Sequence, residues 1–467
     1  MSIYKPCDIR GETTELSTEL YESWGQSLGR RLEPGAVFVV GGDVRLSTPA
    51  FQAAFIRGLC EAGVQVYDLG IVPTPMVYFA KRHLSAAACA IITASHNPPR
   101  INGLKWMIHD LPTNEESVAD LQHDVERPDF PVTPRQSGSL QMIDVSAAYQ
   151  KWLLTAFSSA TQASGRVMLD PGNGCWSVRA KHYMQALFPG VQFLTIHDSE
   201  DGTFPQRNPD SSRPEYLLRL CEEVRRQDAD LGIAFDGDGD RVAFVDGEGH
   251  GLSAEEATWV LLHSFPEEWA GRAFVYDIKF SGHLREGAKH LGARLCMERS
   301  GHAFIRRRML AEKALFGAEI SGHYFFDALD GGDDGLYAAA WVIAYLTSSG
   351  QSLATLRRAC PTVYMTSDLR VNCTAKEQRL VIEKARAAFQ QYEQIYVDGV
   401  RITFPTGWAL IRSSVTESAL TFRFEADDAA SLSQLVSEFC LHLAGIGEQL
   451  YRKYELSMPK PDSPVSV

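Results

Sequence analysis

Three aspartates at alternate positions are the most distinctive chemical feature of this sequence. Asp236, Asp238 and Asp240 lie in the run D-G-D-G-D-R, directly after an apolar segment. The glycines between them let a short loop turn all three carboxylates towards one point, and such hard oxygen ligands select magnesium, manganese or calcium. An EF-hand loop is excluded because its sixth and twelfth positions hold Arg241 and Gly247 here. The pattern predicts a site for one divalent cation, and an acidic turn that caps backbone groups is the alternative.

Ser95 is the second candidate, in the run T-A-S-H-N-P-P that also follows an apolar segment. A serine hydroxyl is a poor nucleophile unless a base or a metal activates it. The G-x-S-x-G pattern of an α/β-hydrolase nucleophile does not surround it, which argues against a hydrolase triad. The loop alone would equally suit a turn serine before prolines, but the carboxylate loop elsewhere in the chain favours a phosphoryl-carrying serine that works with a cation.

Two further loops carry groups that suit a polar ligand. Glu319, Ser321 and His323 lie in the run A-E-I-S-G-H-Y, and this mixture of donors and acceptors suits the hydroxyls of a sugar. The run R-S-S-V-T-E-S begins at Arg412 and combines a guanidinium with hydroxyls, as anion sites do. Lys105 could take a proton or neutralise a phosphate. Each of these features could instead be an ordinary polar turn or a solvated side chain.

The apolar runs before these loops repeat along the chain in one plan. Three segments begin with an apolar run that reaches an aspartate, at residues 37–43, 167–172 and 274–277. Each continues into a helix-like stretch and then into a second apolar run, at residues 90–93, 231–235 and 315–317. This alternation predicts βαβ units around buried sheets. Ligands bind at the strand ends of such sheets, where the candidate residues lie.

The remaining pattern predicts the domain organisation. Past residue 361, residues 421–425 alternate like a half-exposed strand, and residues 376–392 and 428–445 have helical patterns, which predicts a smaller α+β domain. Residues 127–134 suggest an exposed connection, residues 246–251 a turn or linker, and the tail after Met458 a frayed end. We therefore expect domains at residues 1–138, 139–249, 250–362 and 363–467.

Composition limits the classes of partner. The 467-residue chain has a formal net charge of −13, whereas nucleic-acid binding needs a basic face. The sequence contains neither an apolar run of about 18 residues nor the features of a signal peptide. Its nine cysteines form no C-x-x-C pair, which indicates buried, reduced thiols rather than disulfides or a zinc site. We expect a cytoplasmic protein with no nucleic-acid or membrane partner; oligomeric state is left open.

The loops, in this order and with a D-I-R-G run near the N-terminus, resemble the α-D-phosphohexomutase superfamily, and within it the bacterial phosphomannomutase/phosphoglucomutase enzymes. The resemblance implies three similar α/β domains with mixed sheets and a C-terminal α+β domain around one central cleft. It implies that Ser95 is a phosphoserine whose phosphate joins Asp236, Asp238 and Asp240 around one Mg²⁺. The other catalytic residues that it implies are Lys105, Arg241 and His302. The substrate-binding residues that it implies are Arg10, His96, Lys279, Glu319, Ser321, His323, Arg412, Ser414 and Thr416.

The implied activity is a mutase that interconverts hexose 1-phosphate and hexose 6-phosphate, of mannose and/or glucose, through a bound 1,6-bisphosphate. Alternatives are a phosphoglucosamine mutase or a sugar 1,6-bisphosphate synthase on the same scaffold, a metal-dependent phosphatase, and a non-catalytic sugar-phosphate binding protein. Ile320 favours the mannose/glucose type, because the glucosamine enzymes usually carry a polar residue there.

The sequence also departs from the usual pattern of the superfamily at four positions. Val415 and Ser418 stand where the phosphate loop usually has Asn and Pro, Cys7 replaces a tyrosine, and Ala318 replaces a glycine. None of them is a nucleophile or a metal ligand. The departures therefore bear on substrate range and on affinity for the distal phosphate.

Overall fold

Each of four β-sheets is built from one continuous stretch of the chain. The structure is a computed structural model that describes residues 2–127, 136–265, 269–414, 418–443 and 445–457. Three mixed sheets flanked by helices are followed by a sheet that is antiparallel throughout. The predicted fold class, three similar α/β domains and a C-terminal α+β domain, is confirmed.

The first domain has a seven-stranded sheet. Its strands are β1 (Ile9–Glu12), β2 (Val37–Gly42), β3 (Gln65–Ile71), β4 (Ala88–Ile92), β5 (Ile101–Ile108), β6 (Leu111–Pro112) and β7 (Leu140–Met142). Its helices are α1 (Thr18–Arg30), α2 (Thr48–Glu61), α3 (Thr74–His83) and α4 (Glu115–Glu126). Strand β7 pairs with β3, so this sheet extends a few residues beyond the boundary expected at residue 138.

The second domain has a four-stranded sheet and the third a five-stranded sheet. The second contains α5 (Ser146–Ala156), β8 (Gly165–Asp170), α6 (Ala180–Leu187), β9 (Val191–Thr195), α7 (Pro214–Arg226), β10 (Leu231–Phe235) and β11 (Val242–Asp246). The third contains α8 (Ala254–His263), β12 (Ala273–Asp277), α9 (Gly282–His290), β13 (Arg294–Glu298), α10 (His302–Glu312), β14 (Phe316–Ala318), β15 (Tyr324–Phe326), β16 (Gly332–Asp333), α11 (Gly335–Ser349) and α12 (Leu353–Arg358).

The fourth domain is an antiparallel sheet with three helices. Its elements are β17 (Tyr364–Met365), β18 (Leu369–Asn372), α13 (Ala375–Ala388), β19 (Glu393–Ile395), β20 (Val400–Phe404), β21 (Gly407–Ser413), β22 (Ala419–Ala426), α14 (Ala429–Leu441) and α15 (Gly447–Ser457). Helices α13 and α14 end a few residues earlier than the helical patterns suggested, because the chain turns after each of them.

Strand β22 corrects one expectation, since it is buried on both faces rather than half-exposed. Its apolar residues face the core of the fourth domain. Two of its polar residues contact the third domain instead: Glu425 accepts a hydrogen bond from the Gly282 backbone N–H, and Arg423 lies 3.7 Å from Glu255. Apolar and polar residues do alternate along β22, but an interdomain contact covers its polar face.

The first three sheets share a four-stranded core. The central strand β2, β8 or β12 pairs in parallel with a strand on each side, and a fourth strand runs antiparallel at one edge. The orders are β3-β2-β4-β5, β9-β8-β10-β11 and β13-β12-β14-β15. The central strands end at or just before Asp43, Asp170 and Asp277. The similarity predicted from the sequence therefore extends to strand order and direction.

Packing joins the first three domains more tightly than the fourth. One buried apolar cluster contains Met76, Tyr149, Trp176 and Tyr337, and so spans the first three domains. The fourth domain has its own core, and a small cluster around Ile278 links it to the third. The candidate site therefore lies between a firmly joined body and a more separate fourth domain.

The predicted turn at residues 246–251 agrees with the structure, and the prediction for the cysteines agrees in part. Residues 246–251 form a turn after β11, as expected. All nine cysteines are free, but only four of them are buried, at positions 89, 175, 221 and 296. No helix in the described part of the chain is long and apolar enough to span a membrane. Most of the connection expected at residues 127–134, and the tail after Met458, lie outside the described residues.

Candidate active site

Ser95 lies in a strained loop immediately after β4. Its φ angle is +52° and its side chain is fully buried. A left-handed conformation costs a non-glycine residue about 1–2 kcal/mol, so neighbouring groups must hold it. The Thr93 hydroxyl oxygen accepts a hydrogen bond from the Ser95 backbone N–H at 2.8 Å, and the Thr93 hydroxyl in turn donates to Asp43 at 2.7 Å.

Arg45 holds the serine loop from behind. Its guanidinium pairs with Asp43 at 2.9 Å and is wholly buried. It donates hydrogen bonds to three backbone carbonyls of the loop, at Ser95, Asn97 and Pro98, and to that of Ile101 at the start of β5, over 2.6–2.9 Å. One buried side chain thus satisfies the carbonyls of a loop that has no regular secondary structure.

The three aspartates converge directly beside Ser95. The Ser95 hydroxyl donates to Asp236 Oδ2 at 2.8 Å, and Asp236 Oδ1 accepts from the backbone N–H groups of Gly239 and Arg241. Asp238 Oδ2 accepts from the Thr74 hydroxyl of the first domain at 2.8 Å. The carboxylates of residues 236, 238 and 240 each offer an oxygen within 4.8 Å of the others.

This cluster fits a divalent cation. Asp238 Oδ1 and Asp240 Oδ1 are shielded from solvent and have no hydrogen-bond partner among the described residues. Burial and the neighbouring carboxylates raise the pKa of Asp236 well above its ordinary value. Buried carboxylates with unsatisfied oxygens are expected to bind a cation, and an all-oxygen donor set suits magnesium.

Lys105 on β5 neutralises part of this charge. Its ammonium donates to Asp238 Oδ2 at 2.8 Å and to Asp240 Oδ2 at 2.6 Å. Burial opposes the charged form, but the two carboxylates outweigh it and raise the pKa of Lys105 well above its usual value. The same contact lowers the pKa of Asp238 although burial opposes its ionisation. Lys105 is therefore protonated at neutral pH.

His323 orients Arg241 rather than presenting a free imidazole to the cleft. Its Nδ1 bonds to Asp333 Oδ2 at 2.6 Å, and its Nε2 accepts from Arg241 Nε at 2.9 Å. Burial opposes protonation of the ring, yet Asp240 and Asp333 raise the pKa of His323. The hydrogen bond from Arg241 requires a lone pair on Nε2, which is the neutral tautomer with the proton on Nδ1.

The two remaining histidines are held neutral. His96 Nδ1 lies 3.3 Å from Ser95 Oγ, and burial together with nearby Arg241 lowers the pKa of His96 well below its usual value. His302 begins α10, and burial and Lys105 lower its pKa in the same way. Its Nε2 is shielded from solvent and has no hydrogen-bond partner among the described residues. A neutral imidazole with a vacant nitrogen can accept a proton.

The predicted sugar loop presents unsatisfied oxygens. Glu319 Oε2 and Ser321 Oγ are shielded from solvent without a hydrogen-bond partner in the described part of the chain. Burial raises the pKa of Glu319. Asp277 holds this region: it accepts from the Ser300 hydroxyl at 2.7 Å and from the Ile320 backbone N–H at 3.4 Å. Unpaired buried acceptors and donors are what a bound hydroxyl satisfies.

The predicted phosphate loop is described only in part. Arg412 Nε lies 3.0 Å from Asp398 Oδ2, and the Ser414 backbone N–H donates to the Ala419 carbonyl. Thr416 falls outside the described residues, as does Val415. Lys279 of the third domain pairs with Asp368 at 2.7 Å and thereby links the third and fourth domains.

A cleft of about 640 Å³ lies between the four domains. The predicted residues that line it are Arg10, His96, Arg241, Lys279, His302, Glu319, His323, Arg412 and Ser414. The chain has net negative charge, but the cleft collects side-chain cations from every domain. Ser95 and the three aspartates are buried next to residues of this cleft, and His96 connects them to it.

Comparison with known proteins identifies the family to which the fold belongs. Models of the phosphoglucomutase/phosphomannomutase alpha/beta/alpha domains I, II and III match residues 2–131, 147–249 and 255–364, and the model of the C-terminal domain matches residues 369–442. The chain belongs to the phosphoglucomutase/phosphomannomutase family.

Relatives within this family match nearly the whole chain. A phosphomannomutase/phosphoglucomutase of Pseudomonas aeruginosa is 32% identical over 457 residues, which cover 96% of this chain and 97% of the relative. A phosphoglucomutase of Neisseria gonorrhoeae is 32% identical over 445 residues, which cover 94% and 95% of the two chains. The crystal structure of a family protein from Burkholderia thailandensis has a TM-score of 0.86 and 30% identity, and the match covers 94% of this chain and 96% of that one.

Several residues that shape the candidate site were not found from the sequence. Arg45, Thr74 and Asp333 contact a candidate residue or its loop directly. Arg45 had a signal, an arginine two positions after a strand-end aspartate. Thr74 and Asp333 had none, because they approach from other elements only in the folded chain.

Proposed function

We propose that this protein is a hexose phosphate mutase that interconverts the 1-phosphate and 6-phosphate of mannose and/or glucose, with Ser95 as its phosphoryl carrier. The observation that carries the proposal is the hydrogen bond from Ser95 Oγ to Asp236, inside a carboxylate cluster next to a cationic cleft. The family relationship supports it, since relatives in that family carry the names phosphomannomutase and phosphoglucomutase.

In the proposed reaction a sugar hydroxyl attacks the phosphorus of phospho-Ser95. A bond forms between the sugar oxygen and phosphorus, the bond from phosphorus to Ser95 Oγ breaks, and a hexose 1,6-bisphosphate results. The reverse step, on the other phosphate, regenerates phospho-Ser95 and releases the isomer. One Mg²⁺, held by Asp236, Asp238, Asp240 and a Ser95 phosphate oxygen, would neutralise charge on the phosphoryl group.

Proton transfer is assigned to one neutral imidazole and one ammonium group in this proposal. Lys105 is held as an ammonium by two carboxylates, so we assign it to charge stabilisation rather than to the base. His302 has a vacant Nε2 in the cleft and is the proposed acceptor of the sugar hydroxyl proton. His96 Nδ1 lies 3.3 Å from Ser95 Oγ, and we assign its neutral ring to a hydrogen bond with that oxygen; the protonated Lys105 is the proposed source of the proton that the leaving oxygen takes up.

Turn-around of the bisphosphate needs a phosphate site that accepts either end of the sugar. We assign this site to Arg412, Ser414 and Thr416, with Lys279 and Arg10 as further cations. Glu319 and Ser321 would bind sugar hydroxyls. We assign His323 to positioning Arg241, since both of its ring nitrogens contact protein groups.

The test is a side-by-side assay with Mg²⁺ and a bisphosphate primer. Mannose 1-phosphate, glucose 1-phosphate and glucosamine 1-phosphate are supplied separately, and isomer formation is measured against release of inorganic phosphate. Isomer formation from mannose or glucose phosphate without steady phosphate release is expected. Phosphate release without isomer would mean a phosphatase, and bisphosphate accumulation that requires an added phosphoryl donor would mean a synthase.

A further inference from the structure

A second cavity lies where the first three domains meet. It has a volume of about 370 Å³ and is bounded by α3 on one side and by α10 and β16 on the other. Its lining residues differ from those of the sugar-phosphate cleft. Arg306, Lys81 and Arg82 contribute three cationic side chains to it, and Tyr78 and Trp152 contribute aromatic surface.

Arg306 lines this cavity and has N–H groups that are not satisfied by hydrogen bonds in the described part of the chain. The residue is only 7% exposed, and its Nε and Nη1 have no hydrogen-bond partner among the described residues. Its guanidinium lies over the Tyr78 ring, 4.7 Å from the ring centroid, which stabilises the cation but satisfies no N–H group. A buried charge without a hydrogen-bonded counter-ion is strongly disfavoured.

The carboxylates around the cavity do not supply hydrogen-bond partners for Arg306 Nε and Nη1. Asp110 and Asp330 lie at the mouth, where they pair with Lys81 at 3.3 Å and with Arg82 at 3.2 Å, and both carboxylates are largely exposed. Asp333 bonds to His323, and Asp334 accepts from the Tyr149 hydroxyl at 2.5 Å. The cavity is therefore lined by three cationic side chains and four carboxylates, and none of these carboxylates forms a hydrogen bond with Arg306 Nε or Nη1.

The space next to the guanidinium is kept open by Gly332. A Cβ atom on this residue would lie 3.4 Å from both Cζ and Nη2 of Arg306. Arg306 belongs to the helix that begins at His302, and Asp333 follows Gly332 directly. An anion here would thus contact elements that also carry groups of the catalytic cleft.

We propose that this cavity is a binding site for a small phosphate-type oxyanion, separate from the sugar-phosphate cleft. Arg306 would bind two oxygens through its planar fork, and Lys81 would approach from the mouth. The anion is inorganic phosphate or the phosphate group of a small metabolite. This inference does not depend on the proposed mutase activity.

Location is tested by soaking crystals of the full chain in selenate, whose selenium scatters anomalously. An anomalous peak between Arg306 and Lys81 is expected, in addition to any peak in the cleft at Arg412. Crystals that show selenate in the cleft but none beside Arg306 would overturn the proposal.

Affinity is tested in solution by thermal unfolding with increasing inorganic phosphate, because a ligand that binds only the native state raises Tm with concentration. Arg306→Met should weaken phosphate binding at this site about tenfold or more. Lys81→Met should weaken it less, because Lys81 approaches from the mouth and already pairs there with the exposed Asp110. Arg308→Met is the matched control: it removes an arginine of the same helix whose partner is Glu312. Wild-type phosphate dependence in both the Arg306 and Lys81 variants would refute the site.

A parallel titration with glucose 6-phosphate separates the two sources of the anion. Loss of stabilisation by inorganic phosphate alone in Arg306→Met assigns the site to free phosphate. Loss of stabilisation by glucose 6-phosphate as well assigns it to the phosphate group of a sugar phosphate.

Discussion

The Ser95 hydroxyl donates a hydrogen bond to Asp236 Oδ2 across 2.8 Å, although 141 positions separate the two residues. The contact joins the first domain to the second, and Ser95 makes it from a left-handed backbone conformation. Burial and the neighbouring carboxylates raise the pKa of Asp236 well above its usual value. The charge of this carboxyl therefore depends on the groups that are bound beside the serine. A phosphate on Ser95 would enter the same space as the carboxylate cluster.

Ser95→Ala should abolish the phosphoenzyme and reduce turnover by about 10⁴-fold or more, because the carrier oxygen is removed. Ser85→Ala is a matched control, since Ser85 is an exposed serine with a similar φ of +50°. Both replacements leave a Cβ in the left-handed region, so backbone strain changes equally. Intact mass and isomer formation are the measurements. A Ser95→Ala protein that still gains a phosphoryl group would move the carrier elsewhere.

Arg45→Met should lower the free energy of unfolding by about 3–5 kcal/mol, because it leaves Asp43 and several loop carbonyls buried without their partner. Turnover should fall as well, since the loop would no longer hold Ser95 in place. Urea unfolding and kcat are measured together. The control is Arg57→Met, whose ion pair with Glu22 is largely exposed and should change stability by less than about 1 kcal/mol. Equal effects in the two variants would argue against a role for Arg45 in holding the loop.

Lys105→Met should strengthen Mg²⁺ binding while lowering turnover. The Lys105 ammonium contacts Asp238 and Asp240, so its removal makes both carboxylates available to the cation. The affinity for Mg²⁺ should therefore rise about tenfold. Turnover should fall about 10²-fold through lost charge stabilisation. Calorimetric titration with Mg²⁺ and steady-state rates test the two parts, with Lys105→Arg as the charge-preserving control. Weaker Mg²⁺ binding in Lys105→Met would mean that Lys105 organises the carboxylates rather than competing with the cation.

Lys105 also has a defined effect on stability. Its pKa is raised in the folded protein, so its contribution is complete below the unfolded pKa of about 10.4 and is lost as pH rises through the folded value. In metal-free protein the stability difference between wild type and Lys105→Met should therefore be constant through neutral pH and shrink only in strong alkali. Urea midpoints measured across that range test this.

Asp333→Asn should lower kcat about tenfold with little change in KM, because His323 would lose the carboxylate that fixes its tautomer and Arg241 its oriented partner. The folded pKa of His323 is raised, so its contribution to stability is complete below about pH 6.5 and is lost as pH rises through the folded value. Asp333→Asn should reduce this gain at low pH, although Asp240 still favours the protonated ring. Histidine NMR titration and unfolding at several pH values are the measurements; Asp330→Asn, a change at an exposed neighbour, is the control. An unchanged His323 titration in Asp333→Asn would rule out the positioning role.

The sequence alone determined the elements and the chemistry of the loops. Apolar runs predicted the strands because burying such runs in a sheet is favourable wherever they lie in the chain. The alternating aspartates predicted a cation site because their spacing is local, and all three residues belong to one loop. Family resemblance then ordered the loops into one activity.

Tertiary structure decided what those loops contact. It assigned Lys105 to two carboxylates that follow it by more than a hundred positions, and it gave both nitrogens of His323 to Arg241 and Asp333. It covered the polar face of β22, which alternation alone suggested was exposed, with the third domain. It also brought Arg306 to a cavity whose lining contains no residue of the sequence motifs. Such pairings depend on how separate sheets pack against each other, and the pattern of a single segment carries no information about its distant neighbours.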